Sequence, residues 1–471
     1  MGPAPLAAGG RPQVGGEWWC RAGFPRSLWF LLLAPVAMVL AAVVVERSLA
    51  PQRAEAPLRA QPEPADLAAT AYGPKNYADA RAETADQVAL GRERVRHAPD
   101  EWLRGESLAA ALMAEFSLSG DYATLAEAGD VLREARADAI AGSGPWLREA
   151  AFAMTVHDLD AARLAIDNAL QSAVPLPAGD RAEIIAMRGD MALYRGDMDR
   201  AAGHYAEATR LQAGSTAFRQ AMLARMQGRF DDAIALFGQA AREGSGTPLA
   251  QAHIALQLGA TESARGRYDA ARLWYDVAER LLPGHPLIAL YRAEAQALAG
   301  DISGAAKAME GVADRYRWPE AMDALAMLYR AQGNRERSSA WSDRASEIWE
   351  RRMHLVPSAA RFHMAEHALA FGEATQALAL AQQELRSRPY AEARILLANA
   401  LMANGRPEEA VTHLRRAEDS GWRSAPMYAA LAQANAMLGK IDAAEQARNK
   451  AEALNPRIFD GERMLVWFAH G

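Results

Sequence analysis

The stretch Arg265–Gly284, RGRYDAARLWYDVAERLLPG, combines glycine, alanine, tyrosine and proline at regular positions. Counted from its first glycine, Gly266, the notable positions are +2 (Tyr268), +5 (Ala271), +9 (Tyr275), +12 (Ala278) and +17 (Pro283). An aromatic-rich segment of this kind is either a binding site or a unit of a structural scaffold. Recurrence of the spacing elsewhere in the chain would distinguish these two interpretations.

The glycine of this stretch has counterparts at intervals of 32 to 39 residues: Gly196, Gly228, Gly300, Gly333, Gly372, Gly405 and Gly439. Five residues after the glycine the chain has alanine, with Ser338 as the one exception. Twelve residues after it alanine is again the rule, and Val312 and Glu384 are the exceptions. The spacing therefore recurs, which indicates an internal repeat rather than a single binding site.

Each repeated residue has a physical reason to be where it is. A glycine ends one helix, because it adopts a left-handed backbone conformation most easily. The +5 and +12 alanines lie two turns apart on one face of the next helix, where small side chains allow a neighbouring helix to approach. The proline at +17 ends that second helix. The unit is a helix-turn-helix of about 34 residues that must stack on its neighbours to bury its apolar face.

This pattern, with Leu258 and Gly259 upstream of the quoted stretch, resembles the tetratricopeptide repeat. About eight good copies span residues 182–456. Degenerate copies, SGDYATLAEAGDVL (residues 119–132) and HDLDAARLAIDNAL (residues 157–170), lie within a helical region at residues 76–181. The resemblance implies an all-α, right-handed superhelical solenoid. We expect residues 457–471, which are rich in apolar side chains, to cap the end of the array; docking to a partner is the alternative.

An apolar run, Leu28–Val45, contains 18 residues without a charge, which predicts a transmembrane helix preceded by a basic and aromatic segment at residues 1–27. Tryptophans at its N-terminal edge are typical of a membrane interface. A buried core helix is the disfavoured alternative. We expect an uncleaved signal anchor, although Ser48-Leu49-Ala50 would also serve as a signal-peptide cleavage site.

The charges on both sides of this run predict on which side of the membrane the larger part of the protein lies. Positive charges are slightly more numerous before the run than after it, which favours a large domain outside the cytoplasm. Residues 46–75 contain five prolines, and such a segment forms an extended spacer. We therefore expect a single-pass protein of the bacterial inner membrane with a periplasmic soluble domain.

Composition excludes several classes of function. The formal net charge of −6 over 471 residues argues against nucleic-acid binding, which requires a basic face. Cys20 is the only cysteine, so the chain forms no internal disulfide and no cysteine-rich metal cluster. We find no nucleophile motif, phosphate loop or dinucleotide fingerprint. The sequence therefore predicts neither an enzyme nor a cofactor, and we expect no small-molecule substrate.

The segment HMAEH, His363–His367, is the sharpest candidate for metal chemistry, because two histidines four residues apart share a helix face. It lies inside the first helix of a repeat, so structural histidines are the simpler interpretation. The early segments also resemble bacterial tetratricopeptide proteins that accompany nickel- or cobalt-type permeases. This resemblance implies an alternative function, an accessory role in metal-ion uptake or handling with weak metal binding at His363 and His367.

The predicted function is that of a membrane-anchored scaffold, which binds proteins in the cell envelope and performs no chemistry. In a stacked array the first helix of each pair lines the concave face, where a helical or extended peptide could pack against methionines. The candidate partner-binding residues on these helices are Met222, His253, Asp323, Met327, Glu366, Asn399 and Gln433.

Overall fold

The computed structural model describes residues 62–63, 67, 72–244 and 246–461. Within these residues the chain forms helices and no strands, so the predicted all-α class is confirmed. The predicted transmembrane helix, Leu28–Val45, lies outside the described residues. Among the helices that are described, none combines the length and the apolar character needed to cross a bilayer.

The described residues contain 21 helices, which we number in chain order: α1 (Tyr77–His97), α2 (Trp102–Ser119), α3 (Tyr122–Asp138), α4 (Trp146–Thr155), α5 (Leu159–Leu170), α6 (Ala178–Tyr194), α7 (Met198–Leu211), α8 (Ala217–Met226), α9 (Phe230–Glu243), α10 (Pro248–Ala264), α11 (Tyr268–Leu281), α12 (Pro286–Leu298), α13 (Ile302–Tyr316), α14 (Pro319–Ala331), α15 (Arg335–Leu355), α16 (Pro357–Phe371), α17 (Ala374–Ser387), α18 (Ala391–Ala403), α19 (Pro407–Asp419), α20 (Ala425–Met437) and α21 (Ile441–Leu454).

From α2 onward the helices form ten pairs joined by short turns, and α1 packs against α2 ahead of them. Eight pairs, α6–α7 to α20–α21, carry the repeated glycine and alanine spacing. The two earlier pairs, α2–α3 and α4–α5, contain the degenerate copies. Each helix packs mainly against the other helix of its pair and against the next pair along the chain. This is the arrangement of a solenoid.

The turns inside the pairs depend on a left-handed residue. The glycine has a φ between 69° and 92° in seven of the eight regular repeats: Gly196, Gly228, Gly266, Gly300, Gly333, Gly405 and Gly439. Gly372 departs from this pattern with a φ of −105°. In the degenerate pair α4–α5, His157 takes the place of the glycine and still has a φ of 62°. The turn geometry is therefore kept even where glycine is missing.

The repeated alanines and aromatics are buried between the helices of a pair, as the spacing predicts. Ala271 and Tyr275 are each 1% exposed and Ala278 is fully buried. The Tyr275 ring lies against Gly259 of the preceding helix so closely that a Cβ there would be 2.3 Å from Cε1. Tyr205 lies against Gly189 in the same way two repeats earlier. The aromatic side chains of the quoted stretch are thus packing residues.

The solenoid curls until turns within the early pairs contact connections between the later pairs, along a line that we call the seam. The Trp318 indole donates a hydrogen bond to the Ser119 carbonyl at 2.8 Å. Further along, the backbone N–H of Arg423 donates to the Met226 carbonyl at 2.8 Å. The turn of α10–α11 meets the chain just after the tenth pair, because a Cβ on Gly266 would lie 2.4 Å from Asn455 Oδ1.

The number of helix pairs between the two sides of the seam is nearly constant along its length. The turn of the first pair meets the connection between the sixth and seventh pairs, and the turn of the fifth pair meets the chain after the tenth. Five to six pairs therefore separate the two sides of the seam at both ends. A regular array that curls by the same amount at each pair brings its two edges together in this way.

The segments that flank the array also pack on it. Leu67, from the predicted spacer, is 3% exposed and belongs to the core around α8 to α12. After the last pair, Ile458 is 8% exposed, and the Arg457 guanidinium lies 4.5 Å from the centroid of the Tyr268 ring. The first residues of the segment predicted to cap the array thus pack on the array, partly against α11. Residues 462–471 lie outside the described residues, and the cap itself stays a prediction.

Replacing Gly259 with alanine tests the close packing inside a pair. The added methyl group must displace the Tyr275 ring, so we expect the protein to lose about 1–3 kcal/mol of unfolding free energy. Gly311→Ala is the matched control, because its Cβ would have no neighbour within 4 Å and alanine is the better helix former. Urea unfolding should give a lower midpoint for Gly259→Ala alone; equal midpoints would contradict the packing argument.

The environment of His157, in the turn of α4–α5, predicts how the free energy of unfolding depends on pH. Burial lowers the pKa of His157 to about 3, with the Arg388 and His363 charges adding to the effect. The folded protein keeps this imidazole neutral, whereas the unfolded chain takes up a proton near pH 6.5. Stability should therefore decrease as the pH falls from about 6.5 towards 3, by up to about 1.4 kcal/mol per pH unit.

The variant His157→Asn removes this titration and keeps a residue that tolerates the left-handed conformation. We expect its unfolding midpoint to depend less on pH between 6.5 and 4.5 than that of the unmodified protein. His354→Asn, a change at an exposed position, is the control. If both variants keep the original pH dependence, His157 is not the group responsible.

Candidate partner-binding surface

The first helices of successive pairs form the inner wall of the solenoid. In addition to their own partners, α16 contacts α18, α18 contacts α20, and α4 contacts α6. The second helices of successive pairs make no comparable contacts in the described part of the chain. Helices on the inner side of a curved array lie closer together, so the first helices provide the concave surface on which a partner would bind.

The predicted partner-binding residues lie on these first helices, with one or two on each of six helices. Gln433 and His253 are exposed, and Met222, Met327, Glu366 and Asn399 are half-buried. They follow one another along the array and do not converge on one point. Such a row suits an elongated partner better than a compact ligand.

Asp323 differs from the other predicted residues, because it belongs to the protein interior. It is 6% exposed, and its Oδ2 accepts a hydrogen bond of 2.9 Å from the Trp349 indole. Its Oδ1 lies 2.7 Å from Nδ1 of the buried His367. A carboxylate that satisfies two buried donors stabilises the packing of α14, α15 and α16. Asp323 is therefore a structural residue, and we remove it from the partner-binding surface.

The two histidines of the HMAEH segment have different surroundings. The His363 ring stacks on Trp349, with 5.6 Å between the centroids, and its Nδ1 lies 3.1 Å from Glu366. His367 is buried and bonded to Asp323. In the described part of the chain, no group of three or more histidine, cysteine, aspartate or glutamate side chains is arranged to hold a metal ion. The described structure thus adds no support for the alternative of metal handling.

Charged side chains that the repeat pattern does not predict also lie on the inner helices. Arg219 of α8 donates to both Glu183 and Asp190 of α6, with shortest distances of 2.7 and 2.9 Å. Asp190 also accepts a hydrogen bond of 2.8 Å from the Tyr205 hydroxyl. The sequence shows these residues only as unusual charges on first helices. Ion pairs between repeats have no fixed spacing, so the repeat pattern does not reveal which charges pair.

His253 has the environment of a partner-contacting residue. Its ring is exposed and lies beside the Phe218 ring, 5.5 Å between centroids, at a position that the repeat does not use for packing. The surrounding helices disfavour the charged imidazole and lower its pKa, and the nearby Arg225 guanidinium lowers it further. A neutral imidazole next to an aromatic ring offers a hydrogen bond within an otherwise apolar contact.

Two family models, each described as tetratricopeptide repeat, match the sequence. One matches residues 218–286, 362–426 and 395–457, and the other matches residues 320–353. These segments cover most of α8–α11 and of α14–α21, and they leave out α12–α13. No curated protein matches the chain significantly.

Solved structures of low sequence identity also match the chain. A tetratricopeptide repeat protein from Parabacteroides merdae is 15% identical, over 54% of this chain and 98% of that chain, with a TM-score of 0.33. A thermophilic tetratricopeptide repeat protein from Thermus thermophilus is 22% identical, over 41% of this chain and 99% of that chain, with a TM-score of 0.31.

A monomeric mutant of IFIT1, solved with Gppp-AAAA, is 14% identical over 82% of this chain and 96% of that chain, with a TM-score of 0.37. Scores of this size support no functional comparison. The matched family models and the glycine-turned helix pairs observed over the same residues lead to one conclusion: this chain is a tetratricopeptide repeat protein.

Proposed function

We propose that the protein is a membrane-anchored scaffold of the bacterial cell envelope, which binds a protein or peptide along its concave surface and performs no chemistry. The observation that carries this proposal is the row of inner-face side chains that remain wholly or partly accessible. His253 and Gln433 are exposed on first helices, whereas the repeated positions beside them are buried. Tetratricopeptide repeats commonly serve as protein-binding scaffolds, which agrees with this use of the surface.

The shape of the row suggests the kind of partner. Met222 and Met327 are half-buried on α8 and α14, and Met222 also packs against the core. The accessible part of each side chain offers an adaptable apolar contact. Asn399 and Gln433 continue the row on α18 and α20 with side chains that both donate and accept hydrogen bonds. A helical or extended peptide with alternating apolar and polar side chains fits such a surface.

Partner capture tests the scaffold proposal. The full-length chain would be cross-linked in its native cell, and the captured proteins identified by mass spectrometry. We expect Met222→Glu and Met327→Glu to reduce specific capture at least several-fold, because each puts a charge into an apolar contact. Leu273→Glu is the matched control, since Leu273 is 64% exposed on a second helix. Equal capture by all three variants would contradict a partner site on the concave surface.

The membrane anchor and the location are separate parts of the proposal. Support for them comes from the sequence of residues 28–45, which is long and apolar enough to span a bilayer, and from the charges around it. We propose a single-pass anchor in the inner membrane, with the repeats in the periplasm. The spacer would end before Leu67, because this side chain packs on the array.

A reporter that is active only in the periplasm, fused after Gly471, tests this topology. We expect reporter activity from the full chain and its loss when residues 28–45 are deleted, since export depends on the apolar segment. A reporter that is active only in the cytoplasm provides the reciprocal control. Activity of the cytoplasmic reporter in the full chain would show that the orientation is wrong.

A further inference from the structure

A cavity of about 590 Å³ lies at the N-terminal part of the seam, and we call it the seam pocket. It is bounded by α1, the turn between α2 and α3, the end of α13 and the last turns of α15. Five arginines line it, together with one carboxylate, Asp121: Arg81, Arg315, Arg317, Arg351 and Arg352. A cavity of this size accommodates a small molecule, and its lining is strongly positive.

Two of the charged lining residues are already used by the fold. Arg352 is buried, lies 2.6 Å from Glu320 and stacks over the Tyr122 ring at 4.5 Å. Asp121 caps α3, because its side chain accepts a hydrogen bond of 3.0 Å from the backbone of Ala123. Both charges are therefore used by the fold, and Asp121, the one lining carboxylate among the described residues, is held at the start of a helix.

Of the remaining four arginines, three lack such a carboxylate and the fourth, Arg81, has one only at a longer distance. Arg315, Arg317 and Arg351 are exposed, and none of them forms an ion pair with the residues that the structure describes. Arg81 lies 3.6 Å from Glu115 through one nitrogen, while its other terminal nitrogen, Nη1, is buried without a described acceptor. Four guanidinium groups around one cavity repel one another, and a bound anion would relieve this repulsion.

The backbone at Arg317 provides a second, independent observation. This residue ends α13 in the left-handed conformation, with a φ of 54°, where glycine would be free of strain. The structure therefore places a charged side chain at the cavity even though its backbone conformation is unfavourable. Non-glycine residues in this conformation are often found at binding sites.

A simpler explanation accounts for part of the arrangement. Arg315, Arg317 and Arg351 lie near the C-terminal ends of α13 and α15, where helix dipoles favour positive charge without any ligand. The dipoles do not explain the buried Arg81 nitrogen, which comes from the first turns of α1. They also do not explain why the left-handed position that ends α13 has an arginine and not a glycine, because an arginine one residue earlier would serve the helix dipole equally well.

We propose that the seam pocket binds a small oxyanion with at least two negative charges, held by Arg81, Arg315, Arg317 and Arg351. Guanidinium groups bind phosphate and carboxylate oxygens through paired hydrogen bonds, so a compound with either group fits the site. Because Arg81 lies on one side of the seam and the other three lie across it, the ligand joins both sides. Its binding therefore stabilises the closed solenoid.

Calorimetric titration of the full-length chain in mild detergent, at constant ionic strength, tests this proposal with two probes. Inorganic pyrophosphate represents phosphate ligands and citrate represents carboxylate ligands. We expect saturable binding of at least one probe and a higher unfolding temperature in its presence. Binding of pyrophosphate alone would assign the site to phosphate compounds, and binding of citrate alone would assign it to carboxylates.

Arg317→Gly separates the role of the side chain from that of the backbone. Glycine keeps the left-handed turn, so the unfolding temperature without ligand should not fall, whereas the Kd for the bound probe should rise at least tenfold. Arg351→Gln should have the same effect on Kd. Arg344→Gln is the control on the same helix, because Arg344 pairs with Asp314 at 3.0 Å and does not line the cavity.

Three results would overturn the proposal: no saturable binding of either probe, an unchanged Kd in Arg317→Gly and Arg351→Gln, or an equal loss of affinity in Arg344→Gln. The last two would mean that the anion binds elsewhere or acts through general screening. These outcomes are independent of the scaffold function, because capture of partners depends on Met222 and Met327 of the concave surface. Each proposal can therefore fail while the other holds.

Discussion

The whole structure depends on the close approach of two helices over small residues. Within a pair, an alanine or glycine on one helix faces a large side chain on the other, as Gly259 faces Tyr275. This contact leaves the outer faces of both helices apolar and uncovered, so a single pair is unstable alone. Stacking on the next pair covers them, and the array grows in one direction with nearly the same rotation at every step.

The seam follows from this repetition. Because every pair adds a similar rotation, the strip of helices returns on itself after five to six pairs, and its two edges meet. The edge that carries the turns must then fit against the edge that carries the connections between pairs. Gly196 illustrates this fit, since a Cβ there would lie 3.0 Å from the Pro389 carbonyl oxygen. Glycine in the turns thus serves both the turn itself and the contact across the seam.

Some arginines of this chain stabilise the array, and others line a candidate binding site. Arg219 binds carboxylates of the preceding pair, and Arg352 binds Glu320 within its own pair, so both are used by the fold. Arg315, Arg317 and Arg351 lie at the seam pocket without such partners among the described residues. On the concave surface the corresponding distinction is between Asp323, which is bonded inside the array, and His253, which is accessible. In both places, side chains without a described structural partner identify the candidate binding positions.

Periodicity along the chain was sufficient to predict the helix pairs, their turns and the burial of Ala271, Tyr275 and Ala278, because these contacts join residues within one repeat or in adjacent repeats. It also placed the candidate surface on the first helices. Periodicity could not predict the seam, where Trp318 bonds to a residue 199 positions away, or the seam pocket that results from it. Neither side of such a contact carries a repeated signal. The burial of Asp323 was also decided by the tertiary structure, because a residue's register on a helix does not show whether donors from other helices, here Trp349 and His367, will reach it.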